Sequence, residues 1–451
     1  MRTMKIHISL AETFGRLAVM LTLGLALSPV VTAQTPGTFG NEYSIVGYND
    51  EATENRIARL AARMASGEVE LEYREKRGYL DSLLEHLEID PSSQTLVFSK
   101  TSLQYQLIDE KTPRGLFFND DTYIGFVQNS QIVEVMAMDD KLGMVFYVFN
   151  NAPQPEEYFV RETQRCLVCH DSAGTMGGGV PMVMALSSIY NSSLISKMDV
   201  SGAGNVEDKM PVRDRWGGWY VTGQHGNQTH LGNLILPGAG DLTRVDEFRQ
   251  GNVDTLEELG MLDPSPYPSN TSDITALMIL EHQLTVQNLI TYINFKAPAV
   301  LERAGFPEAK AANSWAELPP KAQLSLTRMM DRMAGAMLMQ EATTLEDRIA
   351  GLPDYQSWFT SLGARDSQGR SLRDLDLQNT LFRYPLSYLV YSPAFNAMPA
   401  YAKDYVYRKI RSELSGNGEV IHPYDHEDRE AALEILEETL GANMSVASGN
   451  W

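Results

Sequence analysis

Cysteine is nearly absent from this chain, with two residues in 451. At most one disulfide could form, which excludes a disulfide-held scaffold. Basic residues are also few: 37 Lys and Arg stand against 58 Asp and Glu, a formal net charge of −21. Such a surface repels nucleic acid, and its acidity serves solubility or a basic partner. Past residue 33 no apolar run approaches the ~20 residues that cross a bilayer. No phosphate loop, Ser-His-Asp ordering or paired-carboxylate pattern rises above background.

The longest apolar run is at the start. Residues 1–33 read as a secretory signal peptide: Arg2, Lys5 and Arg16 supply positive charge, residues 17–31 are apolar, and Val31-Thr32-Ala33 offers a small-residue cleavage site. Pro29 and the short run argue against a retained anchor. Cleavage before Gln34 removes those three bases and Glu12, taking the charge from −21 to −23. The expected location is periplasmic or otherwise exported, with no membrane span after cleavage.

The chain that follows is longer than one hydrophobic core usually serves. An α+β fold is expected. Residues 34–150 read as helices (49–90) followed by antiparallel strands near 96–98, 115–118, 123–127, 132–138 and 144–149. Residues 151–262 are glycine-rich and loop-like. After a linker at 263–268, residues 270–451 read as a helical module, with Asp273 capping a helix to Phe295 and further helices near 319–350, 400–414 and 427–440.

Both cysteines lie in one run, Cys166-Leu167-Val168-Cys169-His170. At i, i+3 and i+4, one helical turn puts the two thiols and the imidazole on one face. Each thiol can then add to a haem vinyl group, and His170 is directed at the iron from the proximal side. Export agrees, since such attachment takes place outside the bacterial cytoplasm. Three other readings compete. A thioredoxin-like redox pair calls for a neighbouring βαβ unit, a zinc site needs more ligands, and a local disulfide gives His170 no role.

Two blocks, from Phe159 to His170 and from Arg213 to Gly226 with its Arg-Trp-Gly-Gly-Trp-Tyr core, resemble those of a family of large, mostly uncharacterised exported bacterial proteins with a single cytochrome c-type haem motif. The similarity extends through Glu281-His282-Gln283 and Leu381-Phe382-Arg383-Tyr384-Pro385. Members often carry Arg-His-Met-Gly-Asn where this chain has Thr229-His230-Leu231-Gly232-Asn233, so the sulfur is missing at Leu231. The resemblance implies one covalently bound haem c and electron transfer.

The second axial position decides between carrier and catalyst. His225 and His230 lead the candidates because Gly223, Gly226 and Gly232 let backbone approach a flat macrocycle. His282, Met176, Met182 and Met184 follow. Arg161, Arg165, Arg213 and Arg215 could grip the propionates, and Trp216, Trp219 and Tyr220 could line the ring. His86, His422 and His426 read as surface residues. Three functions follow: an exported electron-transfer cytochrome with a redox partner protein, a peroxidase-like oxidoreductase with an open iron site and a small-molecule substrate, or a non-catalytic haem sensor or scaffold.

Overall fold

The computed structural model describes residues 41–171, 178–191, 204–237, 239–416 and 423–448. The expected signal peptide, Met176 and His422 lie outside them.

Three short helices come first: α1 (Asn41–Val46), α2 (Arg56–Ala65) and α3 (Leu80–His86). Asn55 starts α2 by accepting the Ala58 N–H at 3.1 Å, a cap that satisfies an amide the helix leaves open. Six strands follow: β1 (Thr95–Val97), β2 (Arg114–Phe118), β3 (Thr122–Phe126), β4 (Ile132–Asp139), β5 (Gly143–Asn150) and β6 (Phe159–Arg161). Along β4, Val133 and Val135 are buried while Ile132, Glu134 and Met136 are half-buried, the two-residue period of a sheet with unequal faces. Next come α4 (Leu167–His170), the two-residue strands β7 (Leu186–Ser187), β8 (Tyr190–Asn191), β9 (Gly204–Asn205), β10 (Trp219–Tyr220) and β11 (Ile235–Leu236), and α5 (Leu256–Leu259). The chain ends in helices α6 (Ile274–Arg303), α7 (Pro320–Met337), α8 (Pro353–Ser361), α9 (Pro393–Asn396), α10 (Ala400–Leu414) and α11 (His426–Ser448).

The class is α+β. Seven strands form one antiparallel sheet in the order β10-β1-β2-β3-β4-β5-β6. One face meets the N-terminal helices, where Asn55 bonds Tyr147 at 3.0 Å and the Tyr79 and Phe149 rings lie 5.8 Å apart. The other meets α6, whose Gln287 accepts the Tyr123 hydroxyl at 2.6 Å. Gly143, at φ +68°, lets the β4–β5 turn touch α6, since a Cβ there would stand 2.3 Å from Thr291.

The three stretches distinguished in the sequence therefore share one core, and Phe39–Trp451 groups as one compact unit. β10, from the glycine-rich stretch, extends the sheet, and α6 covers it. The expected linker is packed as well, with Tyr267 buried and donating to the Pro113 carbonyl at 2.7 Å. Asp273 caps α6 as expected, accepting the Ala276 N–H at 2.9 Å, and the helix continues through Pro298 to Arg303. The helix expected over 319–350 stops at Met337, because Ser387 takes that carbonyl at 2.7 Å and Met339 turns to φ +52°. Among the described residues, no helix is long and apolar enough to cross a membrane.

Candidate functional site

The Cys-x-x-Cys-His run leaves the edge of the sheet and turns once. Glu162 still bonds the sheet, donating its N–H to Phe146 at 2.8 Å, and its carboxylate pairs with Arg165. The Cys166 carbonyl then accepts both the Cys169 N–H at 3.2 Å and the His170 N–H at 3.0 Å. Buried Leu167 anchors the turn from beneath. Cys166 is half-buried, Cys169 is exposed, and the two are not bridged. Burial pushes the Cys166 thiol up to about 12, helped by Glu162 and Glu134, and it raises Cys169 as well. Neither sulfur is the depressed-pKa thiolate of a redox exchange pair.

The ring of His170 lies 4.6 Å from that of Phe146 on β5. Its Nδ1 sits 2.7 Å from the Met182 carbonyl. A carbonyl only accepts, so Nδ1 carries the hydrogen and Nε2 presents a lone pair. Among the described residues, nothing bonds Nε2. Burial holds the His170 pKa below its ordinary value; the Met182 bond and Glu134 oppose this and Arg114 adds to it. The imidazole is thus neutral and oriented, as a metal-ligating histidine is when a backbone carbonyl takes its other nitrogen. Met182 is itself fixed, since Asn288 of α6 clasps the next residue, accepting the Val183 N–H at 2.9 Å and donating to its carbonyl at 2.6 Å.

His225 and His230 are placed elsewhere. Their rings lie 4.6 Å apart, both buried, with Trp216 5.3 Å from His230. Two rulers give their distance from His170. His170 rests on β5, whereas the chain to His225 leaves β10, five strand steps away, or about 24 Å at the usual strand spacing. Thr222 and Gly223 meet the start of α6 at Asp273 and Ile274, while the Met182 segment meets Asn288, about 22 Å further along the helix at 1.5 Å per residue. Imidazoles sharing one metal bring their nitrogens within about 4 Å, for bonds of about 2 Å. The expectation that either histidine completes the iron opposite His170 does not fit this geometry.

The arginines also separate. Arg165 stands at the motif, paired with Glu162. Arg213 is exposed on a turn beside Asp214, at 3.9 Å. Arg215 is buried, giving Nη1 to Glu281 at 2.8 Å, Nε to the Met210 carbonyl and Nη2 to the Asp208 carbonyl. That pair belongs to the core, so the expected propionate contact is corrected for Arg215. Arg161 binds the carbonyls of Tyr48 and Glu51. Trp216, Trp219 and Tyr220 are buried, and their polar atoms donate to Glu281, the Leu186 carbonyl and the Glu110 carbonyl. Of the polar C-terminal histidines, His426 is exposed and pairs with Glu430 at 3.3 Å.

His282 has a role that spacing did not reveal. Its Nδ1 meets Asp208 at 2.8 Å and its Nε2 meets the Ser387 hydroxyl at 2.8 Å. Burial opposes ionisation of Asp208, but the charge and hydrogen bond of His282 outweigh it and lower the pKa. The residues are those of a nucleophilic triad, yet access is reversed: Ser387 is 0% exposed, while Asp208 lines an open cavity. A serine nucleophile must meet its substrate. This chain of bonds instead ties three distant segments together. No local signal announces it, because the partners lie 74 and 105 residues from His282.

Among the described residues, no group of three or more His, Cys, Asp or Glu could hold a metal ion. Compared with protein-family models, curated proteins and solved structures, the chain matches none.

Proposed function

We propose that this protein is an exported monohaem c-type cytochrome, with haem bound through Cys166 and Cys169, His170 as proximal ligand, and electron transfer to a redox partner as its activity. One observation carries the reading: on the turn that bears both unbridged thiols, His170 gives its Nδ1 hydrogen to Met182, and among the described residues nothing bonds its Nε2. The residues fit the group. Cys166 and Cys169 would tether it, His170 would hold the iron, and Arg165, beside Cys166 on the chain, could reach a propionate. Bound there, a haem supplies one-electron chemistry. Phe146 and Met182 keep the imidazole from rotating, and burial keeps it neutral. Export rests on residues 1–33.

The test is covalency. Haem absorbance should stay with the protein after acid–acetone extraction, and Cys166→Ala with Cys169→Ala should release it. Haem that extracts fully from the unaltered chain would refute the attachment.

A second reading, an oxidoreductase with an open iron position, gains from the placement of His225 and His230 away from the motif and from the bonds that occupy both ring nitrogens of His282. Carbon monoxide separates the two. An iron that binds it supports the enzyme, and a low-spin iron that ignores it supports the carrier.

A further inference from the structure

A cavity of about 690 Å³ opens between α6, α7 and the segment carrying Met182 and Met184. Its size is that of a small-molecule site. Buried Met182, Leu289 and Met339 form an apolar floor, whereas Arg328 and Arg332 on α7 stand exposed at the rim.

The charges lining it are unequally matched. Glu207 pairs with Lys209 at 2.8 Å, and Glu341 lies within electrostatic reach of the same ammonium. Asp208 is held by His282, and Asp331 accepts the Tyr405 hydroxyl at 2.6 Å. Arg328 and Arg332 have no partner among the described residues. Four apart on a helix, they repel one another unless an anion lies between them. Guanidinium forks match a carboxylate, and two can share one.

We infer that this cavity binds a small organic acid, with its carboxylate at Arg328 and Arg332 and its apolar body on the methionine and leucine floor. Lys209 is already occupied, so the selectivity for an anion falls on the two arginines. The site does not depend on the haem reading.

Calorimetric titration of the full-length protein with octanoate tests it. Saturable binding is expected. Octylamine, with the opposite charge, and inorganic phosphate, with no apolar body, should bind at least tenfold more weakly. Arg328→Gln with Arg332→Gln should cost at least tenfold in octanoate affinity with the melting temperature unchanged, since both side chains are exposed. Ala336→Trp, which fills the cavity, should reduce binding by a similar factor. Absence of saturable octanoate binding, equal binding of octylamine, or an unaltered affinity in the double arginine variant would each overturn the assignment.

Discussion

His170 and His225 make the same hydrogen bond in different places. Nδ1 of His170 meets the Met182 carbonyl at 2.7 Å, and Nδ1 of His225 meets the Gln228 carbonyl at 2.6 Å. Nε2 of His225 is buried without a partner among the described residues, and for His170 the Nδ1 bond is the one its ring makes there. The surroundings differ in every other respect. His170 is half-buried on a turn with two thiols and rests on one phenyl ring. His225 is 3% exposed, has no thiol nearby, and faces a second buried imidazole. A fixed tautomer alone thus does not mark a histidine as a candidate metal ligand. Partial exposure of the ring, and two unbridged thiols on the same turn, separate the two.

The largest expected effect tests that contrast directly. On the proposed haem reading, His170→Ala should displace the Soret band or lose haem altogether, while His225→Ala should leave the band in place. Equal spectral changes in the two variants would collapse the comparison. A smaller effect tests how the turn is held. Leu167 is its one buried anchor, so Leu167→Ala should lower unfolding free energy by about 2–5 kcal/mol, the range for removing a buried leucine side chain. A shift in denaturant midpoint reads it. No change would mean that the turn is supported by the sheet edge alone.

Much of this was legible in the sequence, for reasons that can be named. The strands near 115–118, 123–127, 132–138 and 144–149 announced themselves by apolar runs between turn residues, and each lies in the sheet. Asp273 announced α6 because a capping carboxylate is a local device. The i, i+3, i+4 geometry of Cys166, Cys169 and His170 is local too, and α4 displays it. What escaped was everything set by chain crossings. The glycines around His225 and His230 suggested closeness to a macrocycle, yet Gly223 packs on Ile274 and Gly226 on Asp347. Arg215 looked like a free fork beside the motif, but Glu281, 66 residues away, claims it. The bonds of Met182 to His170 and of Asn288 to Val183 had no signature at all, since a backbone carbonyl carries none.

The smallest expected effect concerns the second histidine of the sealed pair. His230 accepts the Gly232 N–H on Nδ1 at 3.0 Å, so its hydrogen sits on Nε2. Burial, with His225 and Arg249 adding to it, takes its pKa from 6.5 down to about 3. A histidine depressed in this way binds its proton in the unfolded chain first. Its contribution to stability is therefore full above pH 6.5 and is lost as pH falls toward 3, with a slope of at most about 1.4 kcal/mol per pH unit. Denaturant midpoints at pH 6.5 and 5 should show the unaltered protein losing more stability than His230→Gln, whatever the two differ by at pH 7. Parallel losses would mean that His230 already takes up a proton in the fold, and the pair would then be open to water rather than sealed from it.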